Sequence, residues 1–344
     1  GMVYLSGIGK LCFQNSDHLW RNAIFDTLVN YSWPVYDVNG GGNPVSLVYY
    51  IGFWLPSALV GKAFGLTAGY LFMAVWAALG VFLFFSLVWS YLKKCSVWHV
   101  VLFFLFSGLD VAVHFLMGHN AMILDATSHL EWGIATFQYS SFTTQLFWVF
   151  NQAIPAWIIV LLLLLQKDNK HMVFILSLAM LSCTLPFVGM LPIAAYLVFT
   201  RKYDGINTRK QWWKTWLKDT FTLPNILAGG ATGILSFLYV MSNSRSADSG
   251  SEVSSGTFGF VWQSYGSLKV FLINFILFLT LEAALLFLIN YKRYKSGLFW
   301  VCAVSLTLIP LFTMGIGYDF CMRVSIPALV VLFLMTAQTI ADAV

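Results

Sequence analysis

The sequence predicts an all-α, polytopic membrane protein that forms a single domain. Of its 344 residues, 59% are hydrophobic and only 10% are charged, whereas charged residues normally make up about a quarter of a soluble domain. Several apolar runs reach the length of about 20 residues that a helix needs to cross a bilayer. No internal repeat and no Gly/Ser linker divides the chain, so we expect one transmembrane domain over residues 1–344.

The apolar runs comprise seven clear candidate spans and one ambiguous run. The clear spans are 68–92, 98–117, 146–165, 223–242, 268–290, 298–314 and 324–342. The ambiguous run, 172–200, contains Pro186 and Pro192. Since proline breaks or kinks a helix interior, this run is either one kinked span or two short ones.

The basic residues distinguish these alternatives. They cluster at Lys93/Lys94, at Lys167/Lys170, in the stretch 201–218 and at Lys292/Arg293/Lys295. Loops rich in Lys and Arg stay on the cytoplasmic side, and all four clusters share one side only if 172–200 goes out and returns. We therefore predict a helical hairpin that turns near Pro186. The tryptophan-rich and lysine-rich stretch within 201–221 is predicted to be an interfacial helix on the same side.

Residues 1–67 are predicted to form the first extracytoplasmic loop, with interfacial helices, and residues 68–344 the membrane bundle. In "NSDHLWRNAIFDTLVNY", Ser16 is a candidate N-cap and Asp17 favours a helix start. Apolar residues at helical spacing follow, and His18 and Arg21 fall on the charged rim beside them. The run 46–60, "SLVYYIGFWLPSALV", is expected to be interfacial or re-entrant. No signal peptide begins the chain, and we expect that a first span is missing before residue 1.

Titratable side chains concentrate on the predicted outer face, and several are candidate site residues. Asp110 and His114 share one face of the 98–117 span, where an ionisable residue usually meets a cavity or a partner. The other candidates are Asp17, His18 and Arg21 in the first loop, His119, His129, Glu131 and Gln138 in the outer segment 118–148, and Asp319 and Arg323 in the turn 317–325. The structural alternatives are a buried ion pair, a solvated helix face and a snorkelling arginine paired with a carboxylate.

Several functional classes are disfavoured by the sequence. It contains no Walker loop, GxGxxG or GxSxG motif, so a cytosolic enzyme that uses ATP or a nucleotide sugar is disfavoured. His129 and Glu131 lie two residues apart, which is not a zincin spacing, and the five cysteines are scattered without a CxxC pair. We therefore predict no cofactor, and ligand spacing does not support a divalent metal. The basic residues form no nucleic-acid patch.

Four stretches resemble a poorly characterised bacterial group of membrane glycosyltransferases of the GT-C type. They are "QNSDHLWRNAIFDTLVNYSWPVY", "YIGFWLPSALVGK", "HLEWGIATFQYSSFTTQLFWVFNQAIPAW" and "YDFCMRVSIPAL". The resemblance implies a GT-C-like helical bundle in the bacterial plasma membrane. Such a bundle transfers a sugar from a polyprenyl-phosphate carrier to an acceptor on the extracytoplasmic face.

The resemblance also implies roles for individual residues. The catalytic acidic residue of the first outer loop falls on Asp17, which would act as the general base on the acceptor hydroxyl. Arg323, with help from His18 or His119, would stabilise the departing lipid phosphate. The expected partners are the carrier-linked sugar and membrane lipid, and the oligomeric state stays open.

A transporter or flippase is the main alternative, in which Asp110, His114 and Glu282 would form a relay in the middle of the membrane. We rank it second because the sequence contains no inverted repeat and most titratable residues lie at the outer face. A non-catalytic membrane scaffold ranks third. The sequence leaves the identity of the sugar and of the acceptor open.

Overall fold

A computed structural model describes residues 1–37, 45–109, 111–116, 129, 131, 134, 136–206, 208–242, 258–314 and 319–343. The described chain is mostly helical, as predicted. The helices are α1 (Met2–Leu5), α2 (Asp17–Asn30), α3 (Leu55–Phe64), α4 (Leu66–Leu92), α5 (Val97–Leu105), α6 (Val111–Leu116), α7 (Phe142–Trp148), α8 (Phe150–Leu165), α9 (Met172–Ser182), α10 (Thr184–Phe199), α11 (Arg209–Thr220), α12 (Pro224–Met241), α13 (Leu268–Ile289), α14 (Gly297–Leu308), α15 (Asp319–Val324) and α16 (Ile326–Ala343).

Two short antiparallel ribbons join the helices. β1 (Tyr36–Asp37) pairs with β2 (Val45–Ser46), with Tyr36 opposite Ser46. β3 (Gly259–Phe260) pairs with β4 (Phe312–Thr313), with Phe260 opposite Phe312. Each strand has only two residues, so the ribbons close loops and the helices carry the fold.

Among the described residues, three helices, α4, α12 and α13, are long and apolar enough to cross a membrane. Shorter apolar helices accompany them, namely α8, α9, α10, α14 and α16. The core lies where α4, α8 and α16 meet, since Phe84 packs on Trp157 and on Phe333 with ring centroids 5.3 and 6.1 Å apart. Every residue of α16 from Ile326 to Ala337 is buried, which is typical of a helix that is hydrophobic all round.

The run 172–200 forms the predicted hairpin. The α9 helix ends at Ser182, Cys183 has the non-helical angles φ −153° and ψ 66°, and α10 begins at Thr184. The end of α10 lies beside the residues that precede α9, because the Arg201 guanidinium donates to the carbonyl of Gln166 (2.9 Å) and to Oδ1 of Asn169 (3.2 Å). The turn comes before Pro186, which instead occupies the first turn of α10, where a missing N–H leaves no helical hydrogen bond unmade.

The basic clusters gather at this same end. The α4 and α8 helices run parallel, because Gly80 lies against Ile154 as Phe84 lies against Trp157. The lysines after α4 and the loop after α8 therefore share an end. The interfacial helix α11 is held there by indole N–H donors, from Trp212 to the carbonyl of Arg201 (2.9 Å) and from Trp216 to that of Val198 (3.1 Å). We call this the basic end.

The prediction of one continuous span over 98–117 is wrong. The α5 helix ends at Leu105, Ser107 and Gly108 adopt positive φ of 67° and 76°, and α6 begins only at Val111. Oε2 of the buried Glu282 accepts a hydrogen bond from the Gly108 N–H at 3.1 Å. A carboxylate from α13 thus satisfies the backbone that the broken helix leaves unpaired.

Two other predicted spans are also interrupted. Val149, with φ −138°, separates α7 from α8 inside the predicted span 146–165. The predicted span 298–314 is helical to Leu308, continues as a 3₁₀ turn over Ile309–Leu311 and ends as β4.

Candidate functional site

The candidate site lies at the end of the bundle opposite the basic end, where α2 begins. The Asn15 side chain donates to the carbonyl of Phe147 (2.9 Å), which fixes the start of α2 beside the start of α8. The α2 helix begins at Asp17 as predicted, although Ser16 makes no side-chain capping hydrogen bond.

The orientation of α2 differs from the prediction. Leu19 and Trp20 are 74% and 77% exposed, whereas His18 and Arg21, which were predicted on a charged rim, are buried. The buried face of α2 is mixed, because Phe25 and Leu28 are buried together with these two polar side chains. The helix therefore directs His18 and Arg21 into the molecule.

His18 is held as a neutral ring. Its Nε2 lies 3.1 Å from the carbonyl of Ser6 and its Nδ1 lies 3.2 Å from the amide nitrogen of Gln14, so Nε2 donates and Nδ1 accepts. Burial, reinforced by the charge of Arg21, lowers the pKa of His18 to about 4. Both ring nitrogens are used inside the chain, so the predicted catalytic role of His18 stays a prediction, and its contacts are those of a positioning residue.

Arg21 forms an ion pair with Asp17 one helical turn earlier. Its Nη2 lies 2.8 Å from Oδ2 of Asp17, whose side chain is 42% exposed. The guanidinium Nε and Nη1 are enclosed and have no hydrogen-bond partner within the described part of the chain. Burial lowers the pKa of Arg21, and the carboxylate of Asp17 opposes that effect.

A second pair of the same kind lies on α15. Nη2 of the buried Arg323 lies 3.2 Å from Oδ1 of Asp319, again at i, i+4 from the first residue of a helix. Its Nη1 donates to the Tyr50 hydroxyl at 3.0 Å. Its Nε is enclosed and has no partner among the described residues. Tyr50, which the sequence analysis did not select, therefore orients Arg323.

The two ion pairs belong to one electrostatic cluster, which we call the double-arginine site (Asp17, Arg21, Tyr50, Asp319 and Arg323). Burial has the largest lowering effect on the pKa of Arg21, and Asp17 opposes it. The charge of Arg323 adds a smaller lowering effect. Burial disfavours the charge of Arg323, but its neighbours, including Tyr50, Asp319 and more weakly Asp17, outweigh this and raise its pKa. The expectation that Asp17 and Arg323 line one cavity stays a prediction.

The site can bind an oxyanion. Three enclosed guanidinium N–H positions, two on Arg21 and one on Arg323, lack an acceptor in the described structure, although buried polar groups in native proteins nearly always have one. Phosphate and carboxylate oxygens are the acceptors that guanidinium groups bind best. The carboxylate of Asp17 is partly exposed beside these arginines.

A second polar group lies beside the site. The ring of His129 packs on Trp148 with centroids 4.6 Å apart, and its Nε2 lies 3.4 Å from the amide nitrogen of Gln138. Burial lowers the pKa of His129 to about 4, and the charge of Asp17 partly opposes this, so Asp17 lies near this group too. Burial raises the pKa of Glu131, whose Oε2 accepts from the Ser141 N–H at 3.0 Å.

The structure thus brings several predicted residues together. Electrostatic interactions link five of them: Asp17, Arg21, Asp319, Arg323 and His129. Gln138 contacts this group through His129. Glu131 packs against Gly108 at the break after α5. Asp110, His119 and the side chain of His114 lie outside the described residues. In the part of the chain that is described, no group of three or more His, Cys, Asp and Glu side chains could hold a metal ion.

Comparison with known proteins identifies no relative of this chain. No protein-family model, curated protein or solved structure matches the chain. The function therefore has to be argued from the double-arginine site itself.

Proposed function

We propose that the protein is a membrane glycosyltransferase of the GT-C type, which moves a sugar from a polyprenyl-phosphate donor to an acceptor hydroxyl. The observation that carries the proposal is the double-arginine site, with enclosed and unpartnered guanidinium N–H groups beside the half-exposed carboxylate of Asp17. A phosphate ester supplies the missing acceptors, and Asp17 supplies the base.

Each residue has a defined part in the proposed reaction. The Asp17 carboxylate accepts the proton of the acceptor hydroxyl while the hydroxyl oxygen attacks the anomeric carbon. The bond between that carbon and the phosphate oxygen breaks, and the phosphate leaves with the electron pair. Arg21 and Arg323 stabilise the charge that develops on the departing oxygen. Tyr50 holds Arg323 in place, since its hydroxyl accepts from Nη1.

An apolar groove next to the site supports a lipid-linked substrate. It has a volume of about 360 Å³ and is lined by Leu28 of α2, by Trp33 and Ile51 of the first loop, and by Leu235 and Tyr239 of α12. Tyr239 ties the groove to the site, because its hydroxyl donates to the Leu47 carbonyl (2.9 Å) and accepts from the Tyr49 N–H (3.1 Å). The groove suits the hydrocarbon chain of a carrier whose phosphate lies at the arginines.

The proposed location is a bacterial plasma membrane, crossed several times, with the site on the extracytoplasmic face. The support is the separation of charge, since the basic clusters gather at the end of the bundle opposite Asp17 and such clusters stay cytoplasmic. The three long apolar helices fit a membrane protein.

The test is turnover of a panel of polyprenyl-phosphate sugars by the purified protein and two variants. Asp17→Asn should abolish transfer without weakening carrier binding, because it removes the base and keeps the shape. Asp168→Asn is the matched control, since Asp168 is a similarly exposed, ion-paired aspartate at the basic end. Transfer that survives in Asp17→Asn, or is lost equally in the control, contradicts the assignment of Asp17.

The arginines are tested by conservative substitution. Arg323→Lys keeps the charge and loses the planar fork. If one charge-assisted hydrogen bond of about 1.5–3 kcal/mol is lost, carrier binding should weaken by about 10-fold to 100-fold. Unchanged carrier affinity in this variant would remove Arg323 from the phosphate site.

The transporter alternative stays a prediction with less support. Its relay used Glu282, and this carboxylate is engaged by the Gly108 N–H and the Ser107 hydroxyl at the break after α5. A transporter should lose activity in Glu282→Gln and retain it in Asp17→Asn, which is the reverse of the transferase expectation.

A further inference from the structure

A groove at the basic end of the bundle carries a second inference, which is independent of the proposed transferase activity. It has a volume of about 350 Å³ and lies between α5 and the last turns of α16. Its polar mouth is formed by Lys94, Ser96 and His99, and its apolar wall includes Leu105 and Ile340. None of its lining residues is acidic.

The mouth of the groove combines two positive features. Lys94 is exposed there. The α5 helix begins beside it, with Ser96 Oγ accepting from the Trp98 N–H at 3.3 Å, and the N-terminus of a helix favours an anion. These features alone define an electropositive surface and do not identify a ligand. The side chains that line the groove provide that evidence.

His99 is the observation that points to a ligand. The side chain lines the groove but is only 6% exposed. Its Nδ1 is enclosed with no hydrogen-bond partner among the described residues, whereas Nε2 is not enclosed. With Nδ1 enclosed, Nε2 is the ring nitrogen that can reach a bound group, and it donates a hydrogen bond in the tautomer that carries the proton there.

The rest of the groove is suited to a hydrocarbon chain. Leu105 and Ile340 are 72% and 46% exposed along it. Trp98, which is 73% exposed at the mouth, is a residue type that favours the interface between membrane and water. A positive mouth above an apolar, membrane-facing wall matches one amphiphile, with a phosphate at the top and an acyl chain below.

We infer that this groove binds an anionic phospholipid of the cytoplasmic leaflet, with the phosphate at Lys94 and His99 and one acyl chain along Leu105 and Ile340. The basic end is the cytoplasmic end in the proposed topology, and basic pockets between helices on that side are suited to anionic headgroups. The chemistry favours a lipid over free phosphate because most of the lining is apolar.

The test measures lipid binding to the purified full-length protein in detergent. Native mass spectrometry should count bound dioleoylphosphatidylglycerol, with dioleoylphosphatidylcholine as the neutral lipid and glycerol phosphate as the headgroup without chains. We expect phosphatidylglycerol to bind preferentially and glycerol phosphate not to displace it. Equal binding of the two lipids, or displacement by glycerol phosphate, would overturn the inference.

Two variants locate the binding in the groove. Lys94→Gln should weaken phosphatidylglycerol binding about fivefold, as expected for one basic residue near an anionic headgroup. Lys167→Gln is the matched control, because it removes the same charge at the same end but outside the groove. His99→Phe keeps an aromatic ring and removes the nitrogen donor, so it should also lower the preference for the anionic lipid. If both groove variants bind phosphatidylglycerol like the unmodified protein, the site is not here.

Discussion

The neutral state of His18 makes a quantitative prediction about acid stability. The folded chain holds the pKa of His18 at about 4, against 6.5 for the unfolded chain, chiefly because the ring is buried. Between these two values the unfolded chain binds a proton that the folded chain does not. Unfolding therefore takes up a proton, and stability that is present above pH 6.5 is lost as the pH falls toward 4.

The size of the effect follows from the same two values. A pKa difference of one corresponds to about 1.4 kcal/mol, so the full contribution of His18 is about 3 kcal/mol. The linkage relation places about 2 kcal/mol of this loss between pH 7 and pH 5. A change of that size is a large part of the marginal stability of a typical protein.

The assay is unfolding of the purified protein in detergent as a function of pH, with and without His18→Gln. A glutamine amide can still donate to the Ser6 carbonyl but does not titrate, so the variant should lose about 2 kcal/mol less than the unmodified protein between pH 7 and pH 5. His171→Gln, at an exposed position, is the control for the substitution itself. Parallel pH profiles for His18→Gln and the unmodified protein would refute the buried neutral ring.

Two further predictions test the break after α5 and the topology. In Gly108→Ala, a Cβ would clash with Oε1 of Glu131 at a φ of +76°, so unfolding should be easier by more than the roughly 1 kcal/mol that positive φ alone costs. Gly205→Ala, at a similar φ of +72° with no atom within 4 Å of the added Cβ, isolates that backbone term, and equal losses would contradict the contact. Cys12 and Cys95 are the cysteines accessible to a reagent, because the other three are buried. In intact cells, a membrane-impermeant maleimide should label Cys12, at the proposed outer end, and not Cys95, at the basic end. Labelling of Cys95 alone would reverse the proposed sidedness.

Some features of the fold could be predicted because they depend on constraints visible along the chain. The hairpin of α9 and α10 was predicted from the side on which basic clusters must lie, and the ends of its arms do meet at Arg201. The start of α2 at Asp17 follows from the preference of acidic residues for helix N-termini.

The break after α5 was missed for a physical reason. The apolar length of 98–117 satisfied the criterion for a span, and the sequence analysis did not consider a turn at Ser107–Gly108. The carboxylate that holds the turn comes from Glu282, 174 residues later in the chain. A backbone group that is satisfied by a distant side chain cannot be recognised from local sequence.

The candidate site was predictable in its parts and not in its assembly. Both Asp–Arg pairs have i, i+4 spacing that is visible in the sequence. That α2 and α15 direct them toward each other depends on close packing, for which Gly189 is one cause. A Cβ at this glycine would clash with the Val324 carbonyl, so only glycine lets α10 approach the helix that carries Arg323 so closely.

The charge balance of the double-arginine site indicates which carrier it would favour. Two guanidinium groups face two carboxylates, so the unliganded site is formally neutral. A neutral site accommodates a sugar phosphodiester, with one negative charge, at lower cost than a diphosphate, with two. In the proposed reaction, breakage of the sugar–phosphate bond adds a charge to the carrier. At that moment Asp17 accepts the acceptor proton and ceases to neutralise Arg21, whose charge then becomes available to the leaving phosphate. The ion pair between Asp17 and Arg21 would thus couple base catalysis to leaving-group stabilisation, and monophosphate-linked sugars should be turned over in preference to diphosphate-linked ones.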